Sequence, residues 1–237
     1  MNFPDTMATA EQGLLLLNVA EVDEAGALAA LSTEERAELC ALSNPPLRRI
    51  RLASRWLRRS TLARVLDTAP ATLSFESGPH GQPLLVDQAL HFSISHSGAW
   101  LALYWHRRAR VGVDLELVSH PRNWGRLLPR YFSAAEQRAC FEPSGAPNPA
   151  QAVRYWTLKE AWLKGLGLGV YGGPAQTCFQ ISDSRPGQLQ ISGQRPEGPG
   201  CWTFGLANPL ADLQMAWARE ADGPAPEAFR LTPPFSG

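Results

Sequence analysis

The stretch Trp156-Thr157-Leu158-Lys159-Glu160-Ala161-Trp162-Leu163-Lys164 contains both lysines of a 237-residue chain whose 22 basic residues are otherwise all arginine. A chain that uses arginine for generic positive charge is expected to keep lysine where a compact ammonium is needed. On a helix, Trp156, Glu160 and Lys164 are spaced by four residues and share one face. That face combines an aromatic wall, an acid and a base, and we expect the chemistry there.

This stretch belongs to the second of two long helices that the apolar spacing predicts, at about residues 47–66 and 151–165. Shorter helices are predicted after Ser32, with a capping box, and from Ser133 to about Cys140. The remaining apolar runs predict strands at residues 14–20, 72–75, 84–86, 92–95, 101–105, 110–117, 177–181, 189–191, 202–206 and 213–217.

The order of these elements predicts the fold class. Apart from the first strand, each half of the chain begins with helices and continues with strands, a pattern typical of an α+β protein with two similar lobes. We predict an N-terminal lobe over residues 1–117 and a C-terminal lobe over residues 118–222. The tail at residues 223–237 is rich in proline and is expected to have little structure of its own.

Composition limits the function classes. The formal net charge is zero, which gives no overall attraction to nucleic acid or to anionic membranes. The four cysteines form no C-x-x-C pair, which indicates free thiols in a reducing cytosol. The N-terminus has no basic region, and the apolar run 14–17 is too short for a signal or a membrane span. We therefore expect a soluble cytoplasmic protein.

A second segment with chemical potential is Gly112-Val113-Asp114-Leu115-Glu116. On a strand, Asp114 and Glu116 project from the same face, and paired carboxylates suit Mg²⁺. Taken alone, the pattern is more often a solvated strand face. In the same way, Glu160 and Lys164 taken alone could be an ordinary ion pair on an exposed helix.

The third segment is Phe92-Ser93-Ile94-Ser95-His96-Ser97-Gly98, in which a predicted strand ends in hydroxyls and an imidazole before a glycine turn. Ser95, His96 and Ser97 could donate hydrogen bonds to a phosphate, although a single histidine at a strand end is more often structural. The other histidines show no metal-ligand spacing, and we interpret them as structural.

The order and spacing of these segments resemble the surfactin-type 4′-phosphopantetheinyl transferases. The matching segments are Gly81-Gln82-Pro83, Phe92–Ser97, Gly112–Glu116, Phe132–Glu136 and Trp156–Lys164. The resemblance is close over about residues 47–170 and otherwise rests on the strand pattern. It implies a pseudo-twofold α+β fold with coenzyme A in the cleft between the two lobes.

The resemblance also implies a mechanism. Asp114, Glu116 and Glu160 would coordinate Mg²⁺ on the pyrophosphate of coenzyme A. A serine hydroxyl of an acyl or peptidyl carrier protein would attack the β-phosphate, and 3′,5′-ADP would leave. Glu160, directly or through water, is the implied base, and Lys164 would stabilise the leaving phosphate or act as general acid. Such enzymes serve fatty acid, polyketide and nonribosomal peptide synthesis, and we expect a monomer.

Coenzyme A binding is implied for Ser95 and His96 at the nucleotide phosphates, with Gln82 and Lys164 as further contacts. Two departures from the family pattern matter here. Gln82 stands where the family often has lysine, and it brings no charge. The short first helix carries glutamates instead of the lysines of some members.

Phosphate neutralisation is therefore expected to depend more on the helix at 47–66. Arg55 is the first choice and takes the family's arginine position. Weaker candidates are Arg48, Arg51 and Arg59. Some of the seven arginines in residues 48–64 are expected to be solvated or to meet an acidic carrier-protein surface. Glu136 is interpreted as structural, with a role as alternative base left open.

Parts of the sequence are also compatible with two other function classes. A Mg²⁺-dependent phosphohydrolase or nuclease could use the same three carboxylates with water as nucleophile, but the sequence shows no histidine beside them that could activate water. A nucleic-acid-binding module could use the arginines of residues 48–64. The neutral net charge and the lack of interleaved basic and aromatic residues argue against that module.

Overall fold

A computed structural model of the chain describes residues 5–169, 173–185, 188–194, 201–221, 226 and 228–230. Its helices are α1 (Glu24–Ala29), α2 (Thr33–Cys40), α3 (Pro45–Leu66), α4 (Trp124–Tyr131), α5 (Ala134–Ala139) and α6 (Pro149–Leu166). Its strands are β1 (Gln12–Asn18), β2 (Phe75–Ser77), β3 (Pro83–Leu85), β4 (His91–Ser97), β5 (Trp100–His106), β6 (Val111–Leu117), β7 (Cys178–Arg185), β8 (Gln188–Gln194), β9 (Thr203–Leu210), β10 (Leu213–Arg219) and β11 (Ala228–Arg230). The α+β class is confirmed.

The chain divides into two compact units. The first contains residues up to 77, residues 83–108 and the chain from 226 onward, and the second contains residues 78–82 and 109–225. Strand β6 pairs with β10 and lies in the second unit. The sequence-based boundary at residue 117 instead follows β6, because a pairing between segments so far apart in the chain leaves no local pattern.

The first unit is built on a sheet with strand order β11-β1-β5-β4. β1 and β4 each pair with β5 antiparallel, and β11 lies parallel to β1. Most of the predicted tail at 223–237 lies outside the described residues, but its residues 228–230 form β11. The core of this unit joins one face of the sheet to α3 through buried side chains that include Leu15, Leu103, Leu57 and Leu62.

Helix α3 begins two residues earlier than the sequence predicts. Pro45 and Pro46 occupy the first helical turn, where a missing N–H has no helical partner to lose. The side chain of Asn44 caps this turn by accepting a hydrogen bond from the Leu47 N–H. Ser32 and Ser133 begin α2 and α5 with capping boxes, as predicted.

The second unit is built on a sheet with strand order β6-β10-β9, against which α6 packs. Close approach of α6 depends on Gly112 in β6. A Cβ atom at that position would lie 1.8 Å from the Ala161 carbonyl oxygen and 2.6 Å from the Gly165 nitrogen. Gly167, at φ 72°, ends α6. The absence of a side chain at Gly112 therefore allows β6, which carries the carboxylates, to pack directly against α6.

Helices α1 and α4 and strand β11 were not predicted, and the strand expected at 72–75 lies at Phe75–Ser77 after a 3₁₀ turn at Pro70–Thr72. The four cysteines are free thiols, as predicted. Within the described residues, no helix has the length and apolar character to cross a membrane.

Candidate active site

The two carboxylates of β6 face α6. Gly112, Asp114 and Glu116 alternate with buried Val113 and Leu115, so that the face of the strand that contacts the helix carries both acids. Asp114 is only 4 % exposed, and Glu116 is half-buried. This arrangement is consistent with the prediction that Asp114 and Glu116 project from the same face of the strand.

The predicted face of α6 meets them. The Lys164 Nζ donates to Asp114 Oδ1 at 2.6 Å, and the Trp156 indole Nε1 donates to Glu116 Oε1 at 2.8 Å. Glu160 lies between these two contacts in the helix. The helix and the strand thus place an acid, an ammonium and an indole N–H against two further carboxylates.

Glu116 has a second partner that the sequence reasoning missed. Arg122, which follows β6 in the chain, donates from its guanidinium to Glu116 Oε2. The Trp156 ring is itself held by Tyr131, edge-on at 5.6 Å between ring centroids, and by Phe132, stacked at 6.4 Å. Glu116 is therefore fixed through both of its oxygens.

The pKa values of two acids are raised. Burial raises the pKa of Glu160 to about 7, and the nearby Asp114 and Glu116 carboxylates add to the rise while Lys164 opposes it. Burial and the Asp114 carboxylate raise the pKa of Glu116 to about 6 against the opposing charge of Arg122. Within the described part of the chain, the Glu160 carboxyl forms no hydrogen bond or ion pair. Three acids thus repel one another in a partly buried site.

This donor set fits a hard divalent cation. Carboxylate oxygens are the ligands that Mg²⁺ prefers, and a dication would favour the ionised carboxylates against the burial and the mutual repulsion that raise the two pKa values. Among the described residues, no group of three acidic, histidine or cysteine side chains is already arranged as a complete ligand set. In the structure, Lys164 and Arg122 form ion pairs with Asp114 and Glu116. The assignment of the three acids as metal ligands stays a prediction.

The raised pKa of Glu160 predicts how stability depends on pH without metal. Between about pH 4.5 and 7 the folded protein retains a proton at Glu160 that the unfolded chain has released, so the free energy of unfolding should fall as pH rises. Thermal unfolding in EDTA at about pH 5.5 and about pH 8 measures this fall. Mg²⁺ should raise Tm more at the higher pH, since it binds the ionised carboxylates.

Glu160→Gln is the control for this prediction, because an amide does not titrate. The variant should show a flatter pH dependence and a smaller Mg²⁺ effect at high pH. An equal pH dependence in the variant and the wild type would mean that Glu160 does not titrate in this range.

Gln82 lies close to the end of α6. A Cβ atom on Gly167, the residue that caps α6, would lie 2.5 Å from Gln82 Nε2. Residues 78–82 belong to the second unit, so that Gln82 lies in the same unit as Lys164. The side-chain amide is therefore placed at the Lys164 end of the helix.

The side chains of Ser95 and His96 lie on opposite faces of β4, in the first unit. Phe92 and Ile94 share the His96 face and pack against the core, and His96 is exposed beyond them. Ser93 and Ser95 lie on the other face and are buried. A strand period of two residues explains this separation, which a list of consecutive polar residues does not reveal.

Arg55 is engaged by α2. Its guanidinium donates to the Glu35 carbonyl oxygen at 2.7 Å and to the Glu38 carboxylate. The Glu35 carboxylate binds Arg58 at 2.6 Å and Arg59 at 2.5 Å. Glutamates of α2 therefore hold three arginines of α3, which are Arg55, Arg58 and Arg59.

The weaker arginine candidates differ from one another. Arg59 is buried and also donates to the Pro70 and Leu73 carbonyl oxygens, so it connects α3 to the following turn. Arg48 lies 3.5 Å from Glu24 in an exposed pair. Arg51 is exposed, with no ion-pair partner in the described part of the chain. The Arg59 guanidinium thus stabilises contacts within the first unit.

Lys159, the other lysine of the chain, is structural. It is buried, forms an ion pair with Glu136 at 2.8 Å and donates to the carbonyl oxygens of Pro174 and Thr177. Glu136 also accepts from the Phe179 N–H at 2.8 Å. Burial lowers the pKa of Lys159, against the opposing effect of Glu136. This environment supports the structural interpretation of Glu136, and it depends on contacts that the sequence around Lys159 does not reveal.

Comparison with known proteins places this geometry in context. Residues 110–218, which include β6 and α6, match the sequence model of the 4′-phosphopantetheinyl transferase superfamily. The 4′-phosphopantetheinyl transferase HetI of Nostoc sp. is 30% identical over 168 residues, which cover 69% of this chain and 70% of that protein.

Two further relatives carry related names. A putative 4′-phosphopantetheinyl transferase of Synechocystis sp. is 33% identical over 151 residues, or 62% of this chain and 61% of that protein. A phosphopantetheinyl transferase of Thraustochytrium sp. is 29% identical over 185 residues, or 70% of this chain and 63% of that protein. The matched chain thus spans less than two thirds of the length of these two relatives.

Proposed function

The chain belongs to the 4′-phosphopantetheinyl transferase superfamily, and we propose that it transfers 4′-phosphopantetheine from coenzyme A to a serine of an apo acyl or peptidyl carrier protein. The reaction would depend on Mg²⁺ and release 3′,5′-ADP. The observation that carries this proposal is the site at which Asp114 and Glu116 of β6 meet Glu160 and Lys164 of α6.

Asp114, Glu116 and Glu160 are the proposed metal ligands. Mg²⁺ held by them would neutralise negative charge on the pyrophosphate of coenzyme A. Displacement at phosphorus needs positioning and charge neutralisation more than covalent help, and a partly buried group of carboxylates provides a fixed place for both. Trp156 and Arg122 keep Glu116 oriented for this role.

Glu160 is also the proposed base. With its pKa raised to about 7, the Glu160 carboxylate accepts a proton more readily than an ordinary glutamate, and about half of it is ionised at pH 7. It would take the proton of the acceptor serine, directly or through water. Lys164 is held at Asp114 by its 2.6 Å contact, and its ammonium would stabilise the phosphate oxygens of the leaving group or donate a proton to them.

The remaining assignments concern coenzyme A. Gln82 would donate hydrogen bonds beside Lys164, and Ser95 and His96 would bind nucleotide phosphates from their separate faces of β4. Arg55 is the proposed partner of a further phosphate. Because the Glu38 side chain is 66% exposed, Arg55 could exchange this carboxylate for a ligand phosphate while its bond to the Glu35 carbonyl oxygen remains.

The finer features of the proposal are a cytoplasmic location, in line with four free cysteines, and action as a monomer in fatty acid, polyketide or nonribosomal peptide synthesis. The phosphohydrolase or nuclease alternative has no support from the named relatives, which are transferases. The nucleic-acid alternative is weakened because acids of the same unit hold Arg48, Arg55 and Arg59 on α3.

Intact-mass spectrometry tests the proposed function. An apo carrier protein is incubated with this protein, coenzyme A and Mg²⁺, and a parallel sample contains EDTA. We expect a metal-dependent mass gain of one phosphopantetheine group on the acceptor serine. Absence of a gain across fatty-acid, polyketide and peptidyl carriers, together with absence of coenzyme A binding, would contradict the proposal.

A further inference from the structure

Both oxygens of the Glu116 carboxylate accept hydrogen bonds from fixed donors. Oε1 accepts from the Trp156 indole at 2.8 Å, and Oε2 accepts from the Arg122 guanidinium. An ionised carboxylate has about two acceptor positions on each oxygen, so these donors use one position on each side. The carboxylate therefore cannot rotate about its own axis without breaking a hydrogen bond.

Arg122 is itself fixed by the chain around it. Its guanidinium also donates to the carbonyl oxygens of Leu117 at 3.0 Å and His120 at 3.3 Å, and it lies over the Trp124 ring at 5.8 Å. The Arg122 side chain is only 13% exposed. Because a guanidinium is planar and presents its donors in a rigid fork, these contacts fix the direction of the N–H that reaches Glu116.

The loop that carries Arg122 is tied to the turn between β9 and β10. The Asp212 carboxylate accepts from the Ser119 N–H at 2.8 Å and from the Ser119 hydroxyl. The Asp212 carbonyl oxygen accepts from the Val118 N–H at 3.0 Å. Since β10 pairs with β6, the sheet itself sets the position of this loop relative to Glu116.

A carboxylate held in this way is suited to contact a cation through one oxygen. A cation chelated by both oxygens needs an acceptor position on each of them. At Oε2 it would meet the positive charge of the fixed Arg122 guanidinium, and like charges at such short range repel strongly. At Oε1 the neighbouring donor is the neutral Trp156 indole. Contact at Oε1, direct or through a water molecule, is therefore favoured over chelation.

Divalent cations differ in their need for chelating carboxylates. Ca²⁺ takes about six to eight oxygen ligands, and its carboxylate ligands are often bidentate. Mg²⁺ is smaller, keeps several water molecules and is usually held by one or two carboxylates. A carboxylate restricted to one oxygen thus satisfies Mg²⁺ but removes a ligand atom from Ca²⁺.

We propose that Arg122 is a positioning residue that, together with the Trp156 indole, makes the site bind Mg²⁺ in preference to Ca²⁺. It acts by restricting Glu116 to a single-oxygen contact with the ion. The inference rests on the metal ligands of the proposed function and deepens it, because it assigns the choice of ion to residues that are not themselves ligands.

The test compares two site variants with a matched control. Arg122→Ala releases Glu116 Oε2, and Trp156→Phe releases Oε1 without a change in charge while it keeps an aromatic ring in place. Arg110→Ala is the control, since it removes one arginine that is paired with a glutamate, Glu220, in the same unit. Calorimetry of the full chain with MgCl₂ alone and with CaCl₂ alone measures the two Kd values. Thermal unfolding shows which variants are folded.

We expect the ratio of the Ca²⁺ Kd to the Mg²⁺ Kd to fall by about tenfold or more in Arg122→Ala. Loss of a positive charge strengthens the binding of both dications alike, so the ratio reports the selectivity. Trp156→Phe should lower the ratio in the same direction, and it decides the question if Arg122→Ala does not fold. The control should keep the ratio within about twofold of the wild type. An unchanged ratio in either folded site variant, or an equal fall in the control, would overturn the proposal.

Binding of the metal alone separates this inference from the proposed reaction. Preference for Mg²⁺ that depends on Arg122, in a protein that transfers no phosphopantetheine, supports the inference while the proposed function fails. Transfer by a wild type with equal Kd values for Mg²⁺ and Ca²⁺ overturns the inference and leaves the proposed function standing. Binding of neither ion by the wild type overturns the metal ligands and the selectivity together.

Discussion

Asp114→Asn is expected to lower kcat/KM for phosphopantetheine transfer by about 10²–10⁴-fold while the protein stays folded. The amide keeps the shape of the side chain but removes the charge that would hold Mg²⁺, and a metal ion contributes several kcal/mol to charge stabilisation in such reactions. Folding should tolerate the change, because Lys164 is partly exposed and can be hydrated. Removal of one carboxylate also lessens the repulsion at Glu160. Transfer kinetics and thermal unfolding measure the two effects.

Glu220→Gln is the matched control for Asp114→Asn. Glu220 forms an ion pair with Arg110 at 2.5 Å in the same unit, and neither residue is a proposed metal ligand. Its loss removes one carboxylate from one ion pair and should leave transfer nearly unchanged. Full activity in Asp114→Asn would remove the metal-site assignment. Equal losses in both variants would show that transfer responds to any broken ion pair.

The candidate site could be predicted from the sequence because its spacings are local. Trp156, Glu160 and Lys164 share a face through the helical period, and Asp114 and Glu116 share one through the strand period. Neither the helical period nor the strand period predicts that the face of the helix contacts the face of the strand. The structure adds that the two faces contact each other, through Lys164 with Asp114 and Trp156 with Glu116.

The roles that the sequence did not predict depend on contacts between distant segments. The scarcity of lysine pointed equally to Lys159 and Lys164, yet Lys159 is buried against Glu136 and against carbonyl oxygens 15 and 18 residues further along the chain. From the sequence, Arg122 likewise had no assigned role, and the fold places it at the Glu116 carboxylate. Local periodicity carries no information on such partners.

The arginines of α3 illustrate the same limit for charge. A run of seven arginines without an acid predicted a surface available to phosphates or to an acidic partner. The acids that hold them lie on α1 and α2, upstream in the chain, and the packing of these helices on α3 is a tertiary contact. The shorter, less conspicuous set of arginines on α4 and α5 keeps its charge exposed.

Gly112→Ala is expected to lower the free energy of unfolding by more than about 3 kcal/mol, beyond the usual range for overpacking. The added methyl would lie 1.8 Å from the Ala161 carbonyl oxygen and 2.6 Å from the Gly165 nitrogen. Both obstacles are backbone atoms of α6, so no change of rotamer can relieve the overlap and the helix has to move away from β6. Urea unfolding of the variant and the wild type measures the loss.

Gly125→Ala is the control for Gly112→Ala, because it adds the same methyl to the same unit in helix α4. Its nearest neighbour would be Asn123 Oδ1 at 3.6 Å, an ordinary contact, and alanine in place of glycine should stabilise the helix by up to about 1 kcal/mol. Stability of Gly112→Ala within about 1 kcal/mol of the wild type would contradict the close packing of α6 on β6.

The same substitution also tests whether packing positions the site. Movement of α6 away from β6 would separate Lys164 from Asp114 and Trp156 from Glu116, which are 2.6 and 2.8 Å apart. Molecules of Gly112→Ala that stay folded at low temperature should therefore bind Mg²⁺ and transfer phosphopantetheine poorly, although every polar side chain of the site is intact. Normal transfer by a destabilised Gly112→Ala would mean that the carboxylates act without α6, and the assignment of Glu160 and Lys164 would then fail.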